Sequence, residues 1–213
     1  MNKNRCFIAG AGEFSGRVLP ERGDYIIAAD GGYAELISRG ITPDLVVGDF
    51  DSLGGVPDHP NIVCHPSEKD DTDMMLAVRQ GFTHGCGTFI IDGGLGGRLD
   101  HTLANIQILT YISQNGGLGY LVGRDTCVTT VTDGSVSFTP GLSGVISVFC
   151  AGDKSEGVTL EHLTYPLRDA ALSCAYPVGV SNEFCGAPAV VRVRAGTLVI
   201  IWTGGLDYID WDR

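Results

Sequence analysis

Along the first half of the chain, apolar residues gather in short continuous runs separated by stretches with helical spacing. The runs cover residues 6–9, 25–29, 45–47, 61–64, 88–91 and 120–122, and their length and composition predict strands. Helical patterns lie between them at residues 33–39, 72–84 and 99–114. In the second, Met74, Val78 and Phe82 recur every four residues and predict one buried stripe. The third is apolar over most of its circumference (Leu99, Leu103, Ile106, Ile108, Leu109 and Ile112), which predicts packing on several sides. Continuous apolar strands alternating with helices predict an α/β fold, a mostly parallel sheet flanked by helices.

The pattern changes near Gly123. Short β-rich runs follow at residues 126–132, 136–139, 144–149, 158–160, 189–194 and 197–202, broken by Gly, Pro and Ser. Val191-Arg192-Val193-Arg194 alternates with period two, as on a half-exposed antiparallel strand. Ala195-Gly196 joins the last two runs and predicts a tight hairpin. The expected organisation is an α/β domain over residues 1–123 followed by a small all-β, sandwich-like domain over residues 124–213.

A formal charge of −11 argues against a nucleic-acid or anionic-membrane surface. The seven cysteines are scattered, with no CxxC pair or zinc-like spacing, which fits reduced thiols. Lys3 and Arg5 precede an apolar run too short for a signal peptide, and nothing approaches transmembrane length. A soluble, cytoplasmic protein is the expectation.

Between Asp44 and Asp100, ten carboxylates face only Lys69, Arg79 and Arg98. Such a region attracts a cationic substrate directly and takes an anionic nucleotide only with a metal ion. Leu45-Val46-Val47 runs into Gly48-Asp49-Phe50-Asp51-Ser52. If the strand stays extended, Asp49 and Asp51 share a face about 6–7 Å apart, a spacing suited to gripping Mg²⁺. An acidic turn with a helix cap is the bland alternative. Lys69-Asp70-Asp71-Thr72-Asp73 precedes the second helix, where Asp and Thr are ordinary caps. Three carboxylates in four residues exceed what one cap requires.

Asp92-Gly93-Gly94-Leu95-Gly96-Gly97-Arg98-Leu99-Asp100-His101 follows one strand and opens the third helix. Glycines there let a ligand approach the backbone, and N–H groups at a helix start attract phosphate. Arg98 would add a fork of donors for phosphate oxygens. His101 and Asn105 lie on one helix face. Two other phosphate motifs fail. Gly10-Ala11-Gly12-Glu13-Phe14-Ser15 has Ser15 where the third glycine of the dinucleotide fingerprint belongs, and no GxxxxGK[ST] loop occurs.

In order and spacing, four segments together resemble thiamine pyrophosphokinases: Ala29-Asp30-Gly31-Gly32, residues 43–52, Glu68-Lys69-Asp70-Asp71-Thr72-Asp73, and Gly97-Arg98-Leu99-Asp100-His101 with Asn105. Gly179-Val180-Ser181-Asn182-Glu183 is similar to that family's substrate-side loop, and residues 196–202 resemble its closing hairpin, so the likeness runs from about residue 28 to 203. The resemblance implies transfer of pyrophosphate from ATP to the hydroxyl of thiamine, giving thiamine diphosphate and AMP, by a homodimer with sites at the subunit interface. It implies Asp49, Asp51, Asp71 and Asp73 as Mg²⁺ and catalytic carboxylates. Lys69 and Arg98 would contact phosphate, while Asp30 and Asn105 would lie in the nucleotide region. Asp100 would contact the aminopyrimidine and also belongs to the catalytic set. Ser181, Asn182 and Trp202 would line the thiamine side, with Trp202 a cation–π partner for the thiazolium or simply a core aromatic. The rival readings are a Mg²⁺-dependent phosphatase with an aspartyl nucleophile at Asp49, and a nucleotide- or thiamine-sensing module without turnover.

Overall fold

A computed structural model describes residues 4–50, 55–64 and 71–209. The chain divides into two compact units, Met1–Arg124 and Asp125–Arg213. In the first, β1 (Asn4–Ala9), β2 (Tyr25–Ala29), α1 (Gly32–Ser38), β3 (Leu45–Gly48), β4 (Ile62–Cys64), α2 (Asp73–Thr83), β5 (Cys86–Asp92), α3 (Leu99–Gln114) and β6 (Leu118–Val122) follow in order. The strands lie in the order β6-β5-β1-β2-β3-β4, and every pairing is parallel. Successive residues Phe7 and Ile8 point to opposite faces of the sheet and are both fully buried. Both faces are therefore covered, as the unbroken apolar runs require.

The stripe on α2 behaves as its spacing predicts. Met74 and Val78 are buried, and Phe82 packs on Phe89 of β5 with ring centroids 4.7 Å apart. Helix α3 departs from its expected all-round packing. Ile108, Leu109 and Ile112 are buried, but Leu99 is 82% and Leu103 59% exposed. The packed residues belong to the later turns, which lie along β6, while the helix starts at the mouth of a cleft.

The second unit contains β7 (Thr126–Thr132), β8 (Ser135–Phe138), β9 (Ser143–Cys150), β10 (Lys154–Glu161), β11 (Leu167–Ser173), β12 (Asn182–Cys185), β13 (Ala189–Arg192) and β14 (Thr197–Thr203). Strands β12-β9-β14-β7 neighbour one another antiparallel, and β11-β10-β13-β8 form a second antiparallel sheet. Phe138 of β8 meets Phe184 of β12 and Trp202 of β14 edge-on, at 5.1 and 5.4 Å, so aromatic rings fill the space between the sheets. The predicted all-β, sandwich-like character holds.

The hairpin expected at Ala195-Gly196 does not form. β13 pairs with β10 and β8, whereas β14 pairs with β7 and β9, so the link carries the chain from one sheet to the other. Ala195 N and Arg194 N donate to Glu156 O instead of across a two-residue turn, and Gly196 turns the corner at φ 110°. Val191 and Val193 are buried while Arg192 and Arg194 are exposed, in keeping with the alternation. β11 and β12 escaped the pattern because β12 is only four residues long and the apolar residues of β11 do not alternate with polar ones. β11 is largely exposed, with register shifts in its pairing with β10.

Gly32 tests the closeness of α1 to the sheet, because a Cβ there would overlap the Ala9 carbonyl. Gly32→Ala should destabilise the protein by about 1–3 kcal/mol in urea unfolding. Gly152→Ala, with nothing within 4 Å of the added carbon, should be close to neutral.

Candidate active site

The order in which strands are added reverses between β1 and β5: from β1 the sheet grows one way through β2, and the other way through β5. The carboxyl ends of the strands on either side of such a point leave a crevice. Here it is a cavity of about 520 Å³. Gly10, Ala11 and Gly12 after β1 form one wall beside Gly93 and Gly94 after β5. These two segments run together, with Gly10 N donating to Asp92 O (2.7 Å) and Gly12 N to Gly93 O (2.8 Å). A Cβ on Gly10 or Gly12 would stand 2.6 Å from the Gly93 carbonyl oxygen, so only bare backbone fits. The residues of the failed fingerprint thus border the cleft; their position directly after the first strand was the available signal.

Acidic residues line the same cleft. Asp30 follows β2 and Asp49 follows β3, while Asp71 and Asp73 flank the start of α2. Thr72 is the N-cap, its Oγ1 accepting from Met75 N at 3.2 Å, so neither neighbouring aspartate is needed for capping. Burial raises the Asp73 carboxyl from 3.8 to about 6, Asp30 and Asp49 push the same way, and His101 opposes them. Asp30, Asp49 and Asp73 therefore share one electrostatic site. Asp30 (φ 48°) and Phe50 (φ 63°) adopt left-handed backbone that non-glycine residues rarely hold. The extended geometry expected through Asp49 and Asp51 is not kept. β3 ends at Gly48 and the turn at Phe50 sends its ring inward to 1% exposure. Asp51, Lys69 and Asp70 lie outside the described residues. Among the described residues, no group of three His, Cys, Asp or Glu side chains is placed to hold a metal ion.

Asp71 lines the cleft and pairs at 2.7 Å with Arg79, which lies further along in α2. At α3, Arg98, His101 and Asn105 also line it. Asn105 is buried and its Nδ2 donates to Gly94 O (2.7 Å), fixing the glycine loop from behind. Arg98 is highly exposed and pairs with Asp100 at 2.6 Å, which holds the Asp100 carboxyl below its usual range. Asp100 itself does not line the cavity.

Three predicted site residues belong to the second unit. Ser181 is exposed, in left-handed backbone (φ 57°), with its N–H on Ser147 Oγ (3.1 Å). Asn182 is buried and its amide is used internally: Oδ1 accepts from Tyr165 N and Glu183 N, and Nδ2 donates to Tyr165 O. Trp202 is 1% exposed, packs on Phe138, and donates Nε1–H to Gly205 O (3.2 Å).

Comparison with known proteins bears on both units. Residues 17–117 match the model described as "Thiamin pyrophosphokinase, catalytic domain", and residues 135–198 match "Thiamin pyrophosphokinase, vitamin B1 binding domain". The chain belongs to the thiamin pyrophosphokinase family. It is 26% identical over 182 residues to the thiamine pyrophosphokinase of Bacillus subtilis, covering 82% of this chain and 85% of that one. Thiamin pyrophosphokinase 1 of Caenorhabditis elegans is 25% identical over 209 residues, covering 89% and 85%. The crystal structure of the B. subtilis thiamine pyrophosphokinase shares the fold, with a TM-score of 0.80 at 24% identity over 96% of this chain and 100% of that one. Membership of a thiamin pyrophosphokinase family makes this chain an enzyme, with its cleft inside the segment matched to the catalytic domain apart from Gly10–Gly12.

The raised Asp73 carboxyl gives this member of the family a testable pH signature. Between about pH 4 and pH 6 the folded chain binds a proton more tightly than the unfolded one, so stability falls as pH rises through that window. In metal-free protein, Asp73→Asn should raise Tm near pH 8 and lose that advantage near pH 4. Thermal melts in a chelator check this, and a variant less stable than wild type near pH 8 contradicts the assignment.

Proposed function

We propose that the chain transfers pyrophosphate from ATP to the hydroxyl of thiamine, giving thiamine diphosphate and AMP. The observation that carries this reading is the meeting of Asp30, Asp49 and Asp73 in a glycine-lined cleft at the carboxyl ends of parallel strands. Carboxylates held together against their own repulsion are suited to a cationic partner, and a wall without side chains lets a ligand approach the backbone closely.

The residues present fit Mg²⁺. Their donors are carboxylate oxygens, the hard ligands that ion prefers. Asp49 and Asp73, which share one electrostatic site, would hold it, and Asp71, on leaving Arg79, and Asp51 would have to draw in to complete the set, since the described carboxylates are not gathered as a metal cluster. Bound there, Mg²⁺ would neutralise phosphate charge and orient the chain of phosphates. The protein's own groups do the rest. Arg98 leaves Asp100 to grip phosphate oxygens, Lys69 contributes a second cation, and Asn105 keeps the glycine loop in place for the nucleotide, with Asp30 beside it. The thiamine hydroxyl oxygen forms a bond to the β-phosphorus, its proton passing to a carboxylate such as Asp71 or Asp100 and on to water, while the bond to the α–β bridging oxygen breaks and AMP departs with that oxygen. Positioning and charge neutralisation, not a covalent intermediate, supply the rate.

For thiamine, Asp100 freed from Arg98 is the aminopyrimidine partner and Ser181 the exposed contact of the second unit. Asn182 and Trp202, whose side chains are engaged internally, act by holding that segment in shape. The enzyme works as a homodimer with its sites at the subunit interface, in the cytoplasm. Among the described residues no helix is long and apolar enough to cross a membrane.

Incubating the protein with ATP, Mg²⁺ and thiamine and weighing the products tests the reading directly. Thiamine diphosphate with equimolar AMP supports it; ADP, free phosphate or no turnover ends it. Asp49→Asn keeps volume and removes a charge, so kcat should fall at least about 100-fold with circular dichroism unchanged. Arg98→Ala should raise KM for ATP about tenfold and KM for thiamine much less, in initial-rate measurements.

A further inference from the structure

Asp92 closes β5 behind the glycine wall, is fully buried, and has no part in the transfer described above. Its carboxylate accepts four hydrogen bonds. Oδ1 takes the backbone N–H groups of Ser15 (2.7 Å) and Gly93 (2.8 Å); Oδ2 takes the Ser15 hydroxyl (2.8 Å) and Gly16 N–H (3.0 Å). Ser15 Oγ in turn accepts from Arg17 N–H at 3.2 Å. Four donors converge and no acceptor does. A carboxylate meets that demand, whereas an amide would set its own N–H groups against them.

Burying a carboxylate is costly, and a loop that merely needed covering could be held by apolar packing. What this one secures is a segment with no helix or strand of its own, residues 10–18. That same segment supplies Gly10, Ala11 and Gly12 to the cleft and continues beside the glycine loop through Glu13 N on Leu95 O (3.2 Å). Backbone atoms of Gly12 and Gly93 are already at closest approach, so a shift at Ser15 would be passed to the wall. Ser15 stands where the dinucleotide fingerprint has its third glycine. Here its hydroxyl and N–H both go to Asp92, tying the loop down where no helix follows to do so.

We propose that Asp92 is a positioning residue for the phosphate chain of the nucleotide: through Ser15 and Gly16 it fixes the Gly10–Gly12 backbone against which that chain lies. This rests on the reading of the cleft as an ATP site, and the test separates the two. ATP is titrated calorimetrically into the full-length wild type, Asp92→Asn and Ser15→Ala, and KM for ATP and thiamine and Tm are measured for each. Wild-type protein that binds no ATP overturns the nucleotide reading and the proposal with it. With wild-type binding established, Asp92→Asn should weaken ATP binding and raise its KM about tenfold, leaving KM for thiamine within about twofold. Ser15→Ala, which removes one donor and no buried charge, should show the same split at about threefold, and decides the matter if Asp92→Asn does not fold. A lower Tm with both KM values unchanged, or an equal rise in both, would make Asp92 a purely structural residue and overturn the proposal.

Discussion

Carboxylates repel one another, and the α/β unit is built so that several of them cannot move apart. Asp30 and Asp49 follow adjacent parallel strands whose register is fixed, Ala29 against Val47. The apolar residues just before them, Ala28, Ala29, Val46 and Val47, are buried, so neither strand can slide to relieve the strain. Asp73 is brought to the same place by a helix whose start is set by Thr72. Burial there raises the Asp73 carboxyl, and the nearness of Asp30 and Asp49 adds to it. Stability is spent at this point of the fold, which fits the left-handed backbone at Asp30 and Phe50.

The glycine wall of the cleft uses a different constraint, the absence of side chains. Gly10, Gly12, Gly93 and Gly94 bring two backbone segments to hydrogen-bonding distance at the reversal of the sheet. Buried polar side chains then set these segments from behind: Asn105 on the Gly94 carbonyl, Asp92 on Ser15 and Gly16. A wall without side chains has little packing of its own, so its rigidity comes from these supports.

Much of this was readable in the sequence because the relevant signals are local. Unbroken apolar runs gave six strands and the parallel sheet, and the four-residue spacing of Met74, Val78 and Phe82 gave the face of α2. Asp49 could be named because parallel strands put their carboxyl ends together, and Asp71, Asp73 and Arg98 because they stand at the starts of helices, while Asp30 and Asn105 were assigned to the nucleotide region through the family resemblance. Other features are set by distant partners. The link at Ala195-Gly196 looks like a hairpin locally, yet each flanking strand has better neighbours in a different sheet. The exposure of Leu99 and Leu103 depends on how far α3 projects past β6. Asn182 and Trp202 carry side chains fit for ligand contact, and only tertiary packing shows that Tyr165, Gly205 and Phe138 already occupy them.

The central position of β1 carries a consequence for how the molecule comes into being. Ala9 pairs with Ala28 on one side and with Asp92 on the other. During synthesis its first edge is satisfied almost at once, while the second stays bare until β5 has left the ribosome. Closing so long a loop is entropically slow, and the unpaired edge of a largely apolar strand invites association with other nascent chains. The interval before β5 docks is thus the period of greatest vulnerability to misassembly, and it ends with the step that creates the crevice.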